Sequence, residues 1–130
     1  MTPLSFKIIR LDCNAYLLNI RNALRESGVA YVEISQWHLG VEFKLNNKWM
    51  LEVDCERFGS GVTISIKNTD FGRKDGYAIW ILMLAFECLT GIRYGDPTIE
   101  NQINFLKNEQ PRIFESCDFY DNEYSRLNDM

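Results

Sequence analysis

Few residues of this 130-residue chain have the types and spacing that chemistry requires. His38 is the only histidine. As a general base it needs a nucleophile beside it and a carboxylate to orient it. Neither a G-x-S-x-G run nor a cysteine in a protease-like context accompanies it, so it reads as a structural or surface side chain. Glu52, Asp54 and Glu56 alternate along one stretch. Carboxylates two apart on a strand share a face, and could hold a cation or act as an acid–base pair. The plainer reading is a solvated sheet face, and after it an acidic surface for a basic partner. Cys13, Cys55, Cys88 and Cys117 are widely spaced, with no C-x-x-C, whereas zinc sites use short paired spacings. They read as free thiols, partly in the core. No disulfide is expected, because the opening residues carry no secretory signal.

Gly59-Ser60-Gly61 and Gly72 form neither a G-x-x-x-x-G-K-[ST] nor a G-x-G-x-x-G pattern and read as turn glycines. Arg73-Lys74 precedes an apolar stretch whose start could attract an anion, but Asp75 already supplies a negative charge there. No catalytic residue, metal or cofactor is expected, and the chain is expected not to be an enzyme.

The segment that stands out is Asp118-Phe119-Tyr120-Asp121-Asn122-Glu123-Tyr124. Tyrosine and phenylalanine anchor protein interfaces, and acids around them steer a basic partner. Asp118, Phe119, Tyr120, Asp121, Glu123 and Tyr124 are therefore the candidate partner-binding residues. The competing reading is a terminal segment that tucks its rings onto the core and leaves its acids in water.

The elements that must position these residues follow from hydrophobic periodicity. Phe6, Ile8 and Ile9 suggest a short leading strand. Asp12 looks like a helix N-cap, and Cys13, Tyr16, Leu17, Ile20 and Leu24 form a stripe at helical spacing that Gly28 ends. The period then changes to two. Ala30, Val32 and Ile34 alternate with polar residues, as do Val41, Phe43 and Leu45 after Gly40, then Trp49, Leu51 and Val53, then Val62, Ile64 and Ile66. Asn46-Asn47 makes a turn, because asparagine tolerates positive φ. This pattern predicts an antiparallel meander with one apolar face. Tyr77 to Leu89 is almost wholly apolar and predicts a helix buried on most sides, lying across the sheet beside helix 13–27. Asp96 as N-cap and Pro97 at the first helical position start a further helix, with Ile99, Ile103 and Leu106 as its stripe, which Pro111 ends. Residues from Arg112 onward could be a short helix, an added strand or a loop. The fold class is α+β: an antiparallel four- to five-stranded meander packed on one face by an N-terminal amphipathic helix and an apolar helix, with a further C-terminal helix, all in one domain over residues 1–130.

Composition narrows the partner. A 46% hydrophobic and 25% charged chain of this length forms a packed core and is not disordered. The formal net charge of −4 argues against direct nucleic-acid binding, which relies on clustered lysine and arginine. Residues 1–95 carry a net charge of +1 and residues 96–130 a net charge of −5. The whole acidic excess thus belongs to the C-terminal quarter. The longest apolar stretch, Tyr77 to Phe86, is shorter than the roughly 20 residues that span a bilayer, so no membrane association and a cytoplasmic location are expected.

Size, acidity, α+β build and lack of a catalytic motif together resemble the immunity proteins of bacterial contact-dependent growth inhibition and other polymorphic toxin systems. Those families share no common motif, so the resemblance carries over no residue. It implies tight binding and neutralisation of a cognate toxin domain, often a basic nuclease. The profile is also similar to type III secretion chaperones. Their usual order of a helix, three strands, a helix, two strands and a helix departs from the four strands expected here before the apolar helix. A small ligand-binding or enzymatic α+β domain is the third possibility, and a pocket of several hundred Å³ with convergent polar groups would favour it.

Overall fold

The computed structural model describes the backbone of residues 2–37, 40–55, 62–70, 73 and 76–129, and the side chains among these from residue 15 on, Trp37 excepted. Helix α1 (Thr2–Ser27) leads into strands β1 (Val32–Trp37), β2 (Gly40–Lys44), β3 (Trp49–Cys55), β4 (Val62–Asn68) and β5 (Tyr77–Ala78). Helices α2 (Ile79–Thr90), α3 (Ile99–Ser116) and α4 (Asp118–Asn128) follow. The sheet order is β1-β2-β3-β4-β5, each pair antiparallel, so the expected α+β meander is present with a short fifth strand.

Cross-strand register explains the core. Val41, Val53 and Ile64 face one another across β2, β3 and β4, and Phe43, Leu51, Ile66 and Tyr77 form a second row reaching β5. All seven are buried. Because side chains alternate, the intervening row Glu42–Glu52–Ser65–Ala78 lies on the opposite face. Helices α1 and α2 lie against the sheet, α1 on β2 and β3 and α2 on β4 and β5. α1 packs against α3, which also touches α2, and α4 packs against α2. The expected pairing of α1 directly beside the apolar helix therefore gives way to one in which α3 is the neighbour of α1. Leu17, Ile20 and Leu24 are buried, as the helical stripe requires. Gly28 closes α1 at φ +74, a conformation that costs a glycine little.

Several local expectations are corrected. Residues 6–9 belong to α1 and do not form a strand. Asp12 is inside that helix, not its cap. Val32 and Ile34 are 64% and 49% exposed, so the apolar alternation of β1 points to solvent, and Tyr31 instead packs edge-on to Phe43 at 5.3 Å. A register shift between Glu33 and Ser35 accompanies this. The Asn46 turn needs no positive φ, which no described non-glycine residue adopts. Asn46 Oδ1 instead accepts hydrogen bonds from the Lys48 and Trp49 N–H groups, both at 2.8 Å. Thr98, not Asp96, caps α3, its hydroxyl accepting from the Asn101 N–H at 3.1 Å. α3 also continues through the exposed Pro111 to Ser116. Its stripe continues too: Ile113, seven residues after Leu106, is buried, so apolar packing on both sides of the proline outweighs the backbone bond it lacks.

Cys88 and Cys117 are free, but Cys55 is disulfide-bonded, against the expectation of free thiols throughout. Pairing depends on the distance between sulfurs in the fold, which spacing along the chain does not report. Gly76, entering β5, shows how tightly this edge is built: a Cβ there would lie 2.7 Å from the Ile66 carbonyl oxygen.

If the two apolar rows are the core, truncating either at its centre removes fully enclosed methyl groups. Leu51→Ala and Ile64→Ala should each lower the unfolding free energy by about 2–5 kcal/mol in urea titrations. A loss below about 1 kcal/mol at both would contradict the register.

Candidate functional site

The residues singled out near the C-terminus lie on α4, and the helix divides them. Tyr120 and Tyr124 are buried. Asp118 is exposed, Phe119 is 39% exposed, and Asp121 and Glu123 are half-buried. The Tyr120 hydroxyl donates to Glu109 Oε1 on α3. The Tyr77 hydroxyl of β5 donates to Asp121 Oδ1 at 2.9 Å, and the Ala78 N–H donates to the Tyr124 hydroxyl at 2.7 Å. Glu123 accepts from Arg126 Nη2 at 2.8 Å. Three of the six predicted partner-binding residues, Tyr120, Asp121 and Tyr124, thus fasten α4 to the rest of the chain, and Glu123 is paired within the helix. This corrects the expectation that Tyr120 and Tyr124 serve as interface anchors, because neither ring can reach a partner without undocking the helix. Cys117, Tyr120 and Tyr124 fall at i, i+3 and i+7, a helical stripe that could have been recognised in the sequence. Asp118 and Phe119 remain on the surface, with the Arg112 guanidinium 4.3 Å above the Phe119 ring.

Burial also sets the protonation of this seam. It raises the phenols of Tyr77, Tyr120 and Tyr124 above their ordinary value of 10.0, with Asp121 adding to the effect at Tyr77 and Glu109 at Tyr120. The Cys117 thiol is pushed up to about 11, by burial first and by Asp121 and Asp118 after it. A thiol held protonated in this way is a packing group and not a nucleophile. Arg73 is likewise occupied, donating to Ser125 Oγ at 3.1 Å with its guanidinium 4.9 Å from the Tyr124 ring centre.

On α2 the outward positions include large apolar side chains. Trp80 and Leu84 are 43% and 42% exposed, and with half-buried Glu87 they follow i, i+4, i+7 spacing along one face. The helix expected to be buried on most sides therefore presents an apolar stripe. Beside it a slot of about 250 Å³ is lined by Trp80, Met83, Leu84, Glu87, Tyr94 and Pro97. Its far wall is fixed by mutual edge-to-face packing. Tyr94 meets Phe105 at 5.1 Å and Phe86 at 5.7 Å, and Phe86 meets Phe105 at 5.6 Å. The loop is pinned as well: Gly91 N–H donates to the Glu87 carbonyl at 2.8 Å, and Gln102 Nε2 donates to the Pro97 carbonyl at 2.8 Å. Sequence reasoning missed this site because Glu87 is the one charged residue of the run, too little to mark the face that Trp80 and Leu84 share with it.

Two further surfaces bear on function. Between α1 and the start of α3, a groove of about 500 Å³ is lined by Asn19, Asn22, Glu26, Thr98 and Glu100, most of them exposed. On the open sheet face Glu42 and Glu52 stand directly opposite each other. Partial burial raises the Glu52 carboxyl above 4.5, helped by Asp54 and Glu42 and opposed by Lys67. His38, Glu56, Gly59-Ser60-Gly61, Gly72, Lys74, Asp75 and the side chains of Cys13 and Trp37 lie outside the described residues. Among the described residues no cluster of three metal-ligating side chains occurs, and no helix is long and apolar enough to cross a membrane.

No family model, curated protein or solved structure significantly matches the chain. The site must therefore be interpreted from its own chemistry.

Two outcomes follow from the electrostatics. Below about pH 9 the thiol and phenols are protonated in both the folded and the unfolded chain, and the seam contributes fully. Above it, the unfolded chain releases protons that the fold retains, so stability should fall steadily between about pH 9 and 11. Tyr124→Phe, which deprives the Ala78 N–H of its acceptor, should cost about 1–3 kcal/mol at neutral pH by chemical denaturation. Glu52→Gln should act in the opposite sense. A raised carboxyl pKa means that folding disfavours the ionised form, and removing one of two opposed charges should stabilise by about 0.2–1 kcal/mol at pH 7. The gain should disappear once acid protonates Glu52 itself.

Proposed function

We propose that this chain binds another protein and neutralises it, as the immunity partner of a toxin domain. The observation that carries this reading is the uncovered apolar stripe of α2 beside a preformed aromatic slot. Partly exposed tryptophan and aliphatic side chains around a shallow, rigid pocket are what protein interfaces concentrate their energy on. The net charge of −4, with a net of −5 over residues 96–130, selects a basic partner, such as a nuclease whose cleft receives phosphates. Asp118 and Phe119 at the exposed start of α4 can extend the contact, with the acids steering association. A cytoplasmic location goes with this role, but the Cys55 disulfide weighs against it, since such bonds are rare in reducing compartments.

A chaperone role is less well supported, because α2 is followed by α3 and α4 where the chaperone order places two strands. The polar groove between α1 and α3 favours a second reading, a small-ligand-binding domain, since its size is that of an ordinary ligand site.

The deciding experiment is native mass spectrometry of the chain mixed with a basic toxin domain encoded beside it, alongside growth of cells expressing that toxin. A one-to-one complex and rescued growth are expected. Trp80→Ala combined with Leu84→Ala should accelerate dissociation at least about tenfold without altering the circular dichroism spectrum. Absence of a complex, together with saturable small-molecule binding in the α1–α3 groove, would replace this reading with the second.

A further inference from the structure

The slot beside α2 combines three kinds of group that seldom adjoin by accident. Met83, Leu84 and Pro97 supply apolar wall, Trp80 and Tyr94 supply aromatic rings, and Glu87 supplies one carboxylate. An apolar wall accepts a hydrocarbon stem. Ring faces attract a cation, tryptophan most strongly. A carboxylate at the rim completes a site for a chain that is greasy along its length and positive at its tip. A lysine or arginine side chain has this form. A volume of about 250 Å³ is enough for one such side chain but is below that of an ordinary drug-sized site.

The molecule already shows the attraction. The chain's own Arg93 brings Nε to 3.6 Å from Glu87 Oε1, with the arginine side chain 75% exposed and the glutamate 42% exposed. That distance is too long for a good hydrogen bond, and an exposed pair of this kind is weak. Arg93 is thus a weak competitor for the Glu87 carboxylate, one that an incoming cation can displace. The walls need no rearrangement first, because Tyr94 is held by Phe86 and Phe105, and its hydroxyl accepts from Asn108 Nδ2 at 3.3 Å.

We infer that this slot receives one basic side chain of the protein partner, its aliphatic stem against Met83, Leu84 and Pro97 and its charge between Glu87 and the rings of Trp80 and Tyr94. This rests on the reading of the chain as a protein binder and adds the chemistry of the contact: the partner presents a protruding lysine or arginine, and Glu87 discriminates it from an uncharged residue of the same length.

The test is nuclear magnetic resonance titration of the full chain with N-acetyl-lysine methylamide and N-acetyl-arginine methylamide, with N-acetyl-norleucine methylamide as the uncharged control. The basic probes should shift the Glu87, Tyr94 and Gly95 amides and the Trp80 indole N–H saturably, and bind about two- to fivefold more tightly than norleucine. Glu87→Gln should abolish that preference while leaving the spectrum of the core unchanged. Arg93→Ala, which removes the competing cation from Glu87, should tighten binding of the basic probes by about twofold. Equal shifts from norleucine, no shifts at the slot, or unchanged or weaker binding in Arg93→Ala would each overturn the inference. So would shifts of the same resonances on concentrating the protein without probe, which would place a second copy of the chain in the slot. A toxin complex that forms normally and is indifferent to Glu87→Gln would overturn the slot but leave the neutralisation reading intact. Probe binding without any toxin complex would do the reverse.

Discussion

The structure depends on the one-sidedness of its sheet. Strict alternation in β2, β3 and β4 places Val41, Val53, Ile64, Phe43, Leu51 and Ile66 on a single face, and that face must be covered. No single helix is wide enough. α1 covers β2 and β3, α2 covers β4 and β5, and α3 completes the layer against both of them. α4 then docks mainly on α2 and meets the sheet at its edge strand β5. Because α2 is held by the sheet on one side and by α3 and α4 at its flanks, its remaining side is left outward, and the slot occupies that side. Site and core are thus made by the same helix, and the rigidity of the slot derives from the packing that holds the sheet.

Polar groups fix what apolar packing leaves free. The seam between α4 and the rest of the chain would be slippery if it were only aromatic, since edge-to-face rings tolerate a range of offsets. Hydroxyl groups remove that freedom. Tyr77 is bonded to Asp121, Tyr124 to Ala78, and Tyr120 to Glu109, so α4 is fixed to β5 at two points and to α3 at one. Each phenol is buried with a partner, which satisfies the requirement that enclosed polar atoms be paired. The acids of this helix, which look like steering charges in sequence, are in part acceptors in this seam.

Much of the fold was legible in sequence where period and burial agree. Strands β2 to β4, the α1 stripe of Leu17, Ile20 and Leu24, and the Gly28 terminus follow from spacing alone. Legibility failed where apolarity was taken for burial. Val32 and Ile34 alternate like core residues but belong to an outer strand, and Trp80 and Leu84 belong to a run whose outward side only Glu87 marks. It also failed where tertiary packing overrides local rules, as at Pro111 inside α3. For the candidate site the error ran both ways. Tyr120 and Tyr124 were assigned to an interface that the core claims, and the slot was missed because Tyr94 and Pro97 meet α2 only once the loop has folded back.

Strand β1 ends the sheet with Val32 and Ile34 turned outward and with its ladder to β2 displaced between Glu33 and Ser35. A long, flat, greasy margin of this kind would serve as a template on which copies could stack indefinitely into fibres. The displaced residue bends the margin and spoils its regular spacing, so that a second molecule cannot continue the ladder in register. The irregularity in β1 thus works against such growth at a rim where Val32 and Ile34 stay exposed.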